Sequence, residues 1–73
     1  MKVNEIKENI VGHKVMLIEV DDFPGYNGMI GTVLEDEKRG YIFNPIIRQM
    51  RNRGKSFNPI PLKPSDMIEP LDW

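Results

Sequence analysis

The chain has 73 residues, a formal net charge of −1 and no cysteine. This length suits one domain with a small core and little room for a deep catalytic cleft, and the lack of cysteine excludes disulfides and thiolate zinc sites. Since no segment is apolar enough for a membrane span or a secretory leader, we expect one cytoplasmic domain over residues 1–73 and no membrane partner.

The first segment has the spacing of a short amphipathic helix. Val3, Ile6 and Ile10 recur at helical intervals, and Gly12 follows them at a position that suits the end of a helix. The pattern therefore predicts a helix over residues 3–10.

The next segments predict three consecutive strands. Residues 14–20 are rich in β-branched and long apolar side chains, and residues 21–27 combine aspartate, proline, glycine and asparagine in a loop. A second strand is predicted over 29–35, and a polar turn over 36–40 leads to a third over 41–43. Strands this short and this close in sequence favour an antiparallel meander.

The segment after the third strand has the signals of an inserted helix. Asn44 suits a helix cap, Pro45 suits a first helical position, and Gly54 suits a helix end. We therefore predict that residues 45–53 form either a second short helix or a loop.

The last third of the chain predicts an edge strand and a closing strand. Pro59, Pro61 and Pro64 confine their segment to the edge of a sheet, because proline lacks the amide donor that a central strand needs. A turn then leads to a strand over residues 67–71. The predicted fold is mainly β, with four or five short antiparallel strands.

The glycine spacing resembles that of a known family of small barrels. A glycine before the first strand, two alternating apolar residues and a GxxGxV hairpin are the features of the KOW motif. They correspond here to Gly12, Val15, Leu17, Gly28, Gly31 and Val33. The resemblance implies an SH3-like barrel, and it implies the roles common in that family, which are RNA binding and docking on the transcription or translation machinery.

Charge is distributed unevenly along the chain. Residues 1–37 carry three basic and eight acidic side chains, whereas residues 38–63 carry seven basic side chains and no acidic one. A localised basic surface of this kind attracts phosphates or an acidic protein surface, although the same residues could form a solvated loop that pairs with the acidic half. The predicted contact residues are Lys38, Arg39, Arg48, Arg51, Arg53, Lys55 and Tyr41.

Aromatic residues flank the basic segment, as they do in proteins that stack nucleic acid bases. We expect Phe43 and Phe57 to belong to the core, because so small a domain needs its large apolar side chains there. Tyr26 and Tyr41 are expected to be partly exposed.

The residues that carry chemistry do not assemble into a catalytic site. One histidine and two serines provide no convincing set of nucleophile, base and orienting acid, and the acidic residues fit no calcium loop. We therefore expect a non-enzymatic binding module without cofactor or metal, whose partner is RNA or a nucleoprotein complex. The alternative is a protein-interaction module that either self-assembles into a homo-oligomer or acts as a small regulator or inhibitor of a partner protein.

Overall fold

A computed structural model describes residues 1–46 and 57–71, and within these residues five antiparallel strands form one sheet. The strands are β1 (Lys14–Glu19), β2 (Ile30–Asp36), β3 (Gly40–Pro45), β4 (Ile60–Pro61) and β5 (Met67–Pro70). Their order in the sheet is β4-β3-β2-β1-β5. The first four strands therefore form a meander, and the last strand returns to pair with the first.

The mainly β prediction is confirmed, and the observed strands begin and end close to the predicted ones. The β4 strand lies at one edge of the sheet and contains Pro61, as the prolines predicted. The register places Val33 opposite Phe43 and Leu17 opposite Ile68, so that each pair points to the same face.

The helix predicted over residues 3–10 is not confirmed. Only Val3–Glu5 form a single 3-10 turn, and Ile6 is already extended. The segment is held instead by distant partners, since Lys2 forms a β-bridge with Met67. An isolated helix of two turns is marginal in water, so these long-range contacts prevail over the helical pattern.

The helix predicted over residues 45–53 does not begin where the sequence placed its start. Pro45 is the last residue of β3, and the amide of Ile46 donates to the carbonyl of Ile30 at 3.1 Å. The chain is thus still paired with β2 at these two residues, because strand pairing satisfies the backbone groups that a helix start would leave open. Residues 47–53 lie outside the described residues.

Two glycines of the predicted hairpin are required at their positions for different structural reasons. Gly28 has a φ of +88°, which favours glycine, and its amide donates to the carbonyl of Leu17 at 2.6 Å. A Cβ on Gly31 would lie 2.5 Å from the carbonyl oxygen of Asn44 and 2.7 Å from Cζ of Phe43. Gly28 is therefore required by its backbone conformation, and Gly31 by the close approach of β3.

The core lies on the inner face of the sheet. It consists of buried strand residues and of residues from the segments that cover them: Val15, Leu17, Val33, Phe43, Ile60 and Ile68 from the strands, with Val3, Ile10, Val20 and Leu62. The described part of the chain contains no helix with the length and apolar character needed to cross a membrane.

Candidate nucleic-acid interface

The two ends of β3 separate the predicted contact residues into two groups. Lys38 and Arg39 lie in the turn before β3 and Tyr41 is its second residue, whereas Arg48, Arg51, Arg53 and Lys55 follow its other end and lie outside the described residues. At about 3.3 Å per residue, Tyr41 and Pro45 are roughly 13 Å apart. The structure therefore brings Lys38, Arg39 and Tyr41 together at the beginning of β3.

Arg39 and Tyr41 line the same surface groove, which has a volume of about 470 Å³. The apolar lining consists of Val3, Ile6, Tyr41, Leu62 and Pro64, and the rest of the lining consists of Asn4, Arg39 and Gly40. We call this feature the Tyr41 groove. Val3 and Leu62 are buried, Ile6 and Tyr41 are half-buried, and the other lining residues are exposed, so that an apolar floor meets a polar rim.

Backbone hydrogen bonds between distant parts of the chain hold the groove in shape. The amide of Val3 donates to the carbonyl of Asp66 at 2.9 Å, and the amide of Asn4 donates to the carbonyl of Pro64 at 3.0 Å. The amide of Leu62 donates to the carbonyl of Tyr41, also at 2.9 Å. The amino-terminal segment is thereby tied to the connection between β4 and β5, and the start of that connection is tied to β3. Residues of all three line the groove.

A tight turn controls the charge at the rim. Asp36 accepts hydrogen bonds through Oδ1 from the amides of Lys38 at 2.8 Å and Arg39 at 3.1 Å, and these two bonds, in that order, lower the pKa of Asp36. Its Oδ2 lies 3.9 Å from Nε of Arg39. The Arg39 side chain is 56% exposed, so it is a solvated cation with a loose acidic partner.

A cluster of three aromatic rings, separate from the Tyr41 groove, lies where the described chain resumes after residue 56. The ring of Tyr26 packs edge-to-face against Phe23 and Phe57, with centroids 5.9 Å and 5.3 Å away. Its hydroxyl donates to the carbonyl of Asn58 at 2.9 Å. Phe57 is half-buried and was wrongly predicted to belong to the core, because it packs at the edge of the fold against Tyr26.

The other aromatic predictions are confirmed. Phe43 is fully buried in the core, while Tyr26 and Tyr41 are half-buried and pack against the edge of the core. The aromatic side chain of the predicted site is thus partly accessible, and Phe43 is unavailable for base stacking.

One basic residue of the positive segment pairs with the acidic half of the chain. Nζ of Lys63 lies 2.5 Å from Oδ2 of Asp22, and this contact, aided by the charges of Asp66 and Asp21, raises the pKa of Lys63. The pair joins the loop between β1 and β2 to the connection between β4 and β5. The alternative in which basic residues pair with the acidic half therefore applies at Lys63, and loosely at Arg39.

Both edges of the described sheet are partly blocked. The β4 edge carries Pro61, which lacks an amide donor, and the outer edge of β5 is occupied by the bridge between Lys2 and Met67. Within residues 1–46 and 57–71, no three histidine, aspartate or glutamate side chains are grouped so that they could hold a metal ion.

Besides Gly40, which adjoins Tyr41, sequence reasoning missed five residues that line the groove, namely Val3, Asn4, Ile6, Leu62 and Pro64. Nothing in the local pattern marks them, because they reach Tyr41 only through contacts between the two ends of the chain. One feature of the sequence did argue against the predicted helix, since a segment with only two helical turns is too short to be a stable helix by itself.

No family model matches the chain, and comparisons with curated proteins and with solved structures found no match either.

Proposed function

We propose that this protein is a non-catalytic module that binds RNA, alone or within a nucleoprotein complex. The observation that carries the proposal is that half-buried Tyr41 and exposed Arg39 line one groove, with Lys38 beside them in the same turn. Proteins that bind single strands stack bases on aromatic side chains, and arginine contacts the phosphates with a planar, bidentate group.

The proposed interface also includes the cations of the segment between β3 and β4. The described residues carry ten acidic and six of the ten basic side chains, and the other four basic side chains all belong to residues 47–56 of the sequence. We assign phosphate contacts to Arg48, Arg51, Arg53 and Lys55, because clustered cations without neighbouring acids bind a polyanion most strongly.

We further infer that the sheet is the frame of an SH3-like barrel and that the protein works in the cytoplasm. In support of the barrel, β5 returns to pair with β1 at the edge of the sheet opposite β4. Two side-chain contacts, Tyr26 with Asn58 and Asp22 with Lys63, also tie the loop between β1 and β2 to both flanks of β4.

A protein-interaction module is the second candidate function. It is favoured by Ile18 and Leu34, which are 45% and 42% exposed and are large apolar side chains on neighbouring strands. The register of β1 and β2, with Lys14 opposite Thr32 and Met16 opposite Ile30, separates the two side chains along the strands, so they offer two separate apolar contact positions on the sheet and not one contiguous patch. Light scattering over a range of protein concentrations tests the self-assembling form, because a monomer at every concentration would exclude it.

The RNA proposal is tested by titrating a fluorescently labelled single-stranded RNA and recording anisotropy at about 50 mM and about 200 mM salt. Phosphate contacts require the affinity to fall steeply between these concentrations. Arg39→Gln should weaken binding, whereas Lys14→Gln, which removes the same charge from an exposed position on the opposite face of the sheet, should have a smaller effect. An absence of binding at low salt would exclude the proposed function.

A further inference from the structure

We propose that the Tyr41 groove accepts one unpaired nucleotide base, so that the protein selects single-stranded RNA over duplex RNA. This inference rests on the proposed function and specifies the form of RNA that the same site takes. It depends on three properties of the groove, which are its size and lining, the position of its cations, and the amide at its rim.

The dimensions and lining of the groove suit a base. Its volume of about 470 Å³ lies within the range of roughly 300–1,000 Å³ that is typical of small-molecule sites. Ile6, Tyr41 and Leu62 provide apolar and aromatic surface for the face of a planar ring. A base within a duplex is stacked on both faces and cannot present them to a side chain, whereas an unpaired base can.

The cations lie where the phosphate of a bound nucleotide would be. Arg39 lines the groove, and Lys38 is the residue before Arg39 in the same exposed turn. A base that enters the apolar part of the groove keeps its phosphates in solvent at the rim, within reach of these side chains. The turn also carries Asp36 and Glu37, but among the described residues that line the groove the charged one is the cation Arg39. The charge of the lining therefore favours a nucleotide over an uncharged apolar peptide side chain as the occupant.

Asn4 adds a group that can recognise the edge of the base. Its side-chain amide carries both a donor and an acceptor, and this exposed residue lines the groove together with Arg39. Unpaired bases in RNA are read through hydrogen bonds to their edges, and asparagine is well suited to that role.

The first test needs no variant and uses the free mononucleotide AMP. AMP is added to ¹⁵N-labelled protein, and amide chemical shifts are recorded. We expect the largest shifts at Gly40, Tyr41 and Asn4, and small shifts at residues of the aromatic cluster around Tyr26. Shifts confined to other residues, or no shifts at saturating AMP, would overturn the inference.

The second test compares single-stranded and duplex RNA of the same sequence at constant salt. We expect Tyr41→Leu to reduce affinity for the single strand by about tenfold, within the range measured for the loss of one base–aromatic stack. Tyr41→Phe keeps an aromatic ring and should retain most of the affinity. Because Tyr41 also packs against the core, circular dichroism must first show that both variants are folded.

The outcomes separate this inference from the proposed function. Equal binding of single strand and duplex, with no loss in Tyr41→Leu, would overturn the inference and leave RNA binding intact. Failure to bind either RNA at low salt would overturn both. If AMP and RNA leave the groove unperturbed but an acidic apolar peptide shifts the same amides, the occupant is a protein segment and the inference is wrong.

Discussion

Gly31 lies against Phe43 with no space for a side chain. A Cβ on residue 31 would be 2.7 Å from Cζ of the Phe43 ring and 2.5 Å from the carbonyl oxygen of Asn44. Phe43 is fully buried at the centre of the core, and Asn44 belongs to the strand paired with β2. The packing of the largest core residue therefore requires a glycine on the neighbouring strand.

We expect Gly31→Ala to destabilise the fold by about 1–3 kcal/mol, the usual cost of forcing extra volume into a packed interior. Gly25→Ala is the matched control, because a Cβ there meets nothing within 4 Å, and its effect should stay within about 0.5 kcal/mol. Urea titrations followed by far-ultraviolet circular dichroism measure both variants. Equal midpoints for the two would contradict the close contact in the structure.

The strands could be predicted because their signals are local. Apolar residues at the start of β1 and β2, the glycines of the hairpin and the proline of β4 each act on their own segment of backbone. Edge pairing of β4 followed directly from the missing donor of Pro61. The predicted strands agree with the structure because neighbouring strands in a meander are also neighbours in sequence.

The amino-terminal segment and the groove could not be predicted in the same way. Val3 and Asn4 are held by carbonyls at least 60 residues away, and no local pattern contains that information. Arg39 and Tyr41 were identified from charge and aromatic character alone. The residues that complete the lining of their groove come from residues 3–6 and 62–64, which are distant in sequence. Long-range contacts thus decide both the misassigned helix and the shape of the site.

The amino-terminal segment should contribute to stability as much as a strand does. Ile10 is 1% exposed and belongs to the core cluster although it lies outside the sheet. We expect Ile10→Ala to lower the free energy of unfolding by about 2–5 kcal/mol through lost burial and the resulting cavity. Lys7→Ala, at an exposed position of the same segment, is the control and should change it little. A small effect at Ile10 would mean that the segment is not packed on the sheet.

Asp66 should stabilise the turn that precedes β5. Its side chain is 2% exposed, and Oδ2 accepts a hydrogen bond from the amide of Lys63 at 2.8 Å. Asp66→Ala leaves that partly buried amide without its acceptor, at a cost of about 1–3 kcal/mol. Asp66→Asn retains an acceptor oxygen and should recover most of the loss, whereas exposed Ser65→Ala should be neutral. Thermal or urea midpoints of the three variants give the comparison, and equal losses for alanine and asparagine at residue 66 would contradict this role.

The ion pair between Asp22 and Lys63 predicts a pH dependence at alkaline pH. The hydrogen bond that Lys63 donates to Asp22 raises the pKa of Lys63 above its ordinary value of 10.5 in the folded protein. Its stabilising contribution is therefore complete below the unfolded pKa and is lost as the pH rises through the folded pKa. The pair is exposed, so the effect is small.

Urea midpoints of wild type and Asp22→Asn measured from neutral to strongly alkaline pH check this prediction. The wild type should be slightly more stable near neutrality, and the difference should vanish above the pKa of Lys63. Asp21→Asn is the control, because this carboxylate acts on Lys63 only through its charge. A difference that persists or grows at alkaline pH would exclude the ion pair as its source.

Asp36 should weaken phosphate binding at the groove by partly neutralising Arg39. Its Oδ2 lies 3.9 Å from Nε of Arg39, while its Oδ1 caps the turn through the amides of Lys38 and Arg39. In Asp36→Asn the side-chain oxygen still accepts the two amides, but the negative charge is gone. We therefore expect RNA affinity at low salt to rise by about two- to fivefold, the range given by an exposed ion pair, and the gain to shrink as salt screens the charges. Glu37→Gln is the control, because it removes the same charge from an exposed residue of the same turn. RNA affinities of both variants are measured by anisotropy. A larger gain in Asp36→Asn than in Glu37→Gln assigns the effect to Arg39, whereas equal gains would assign it to net charge alone.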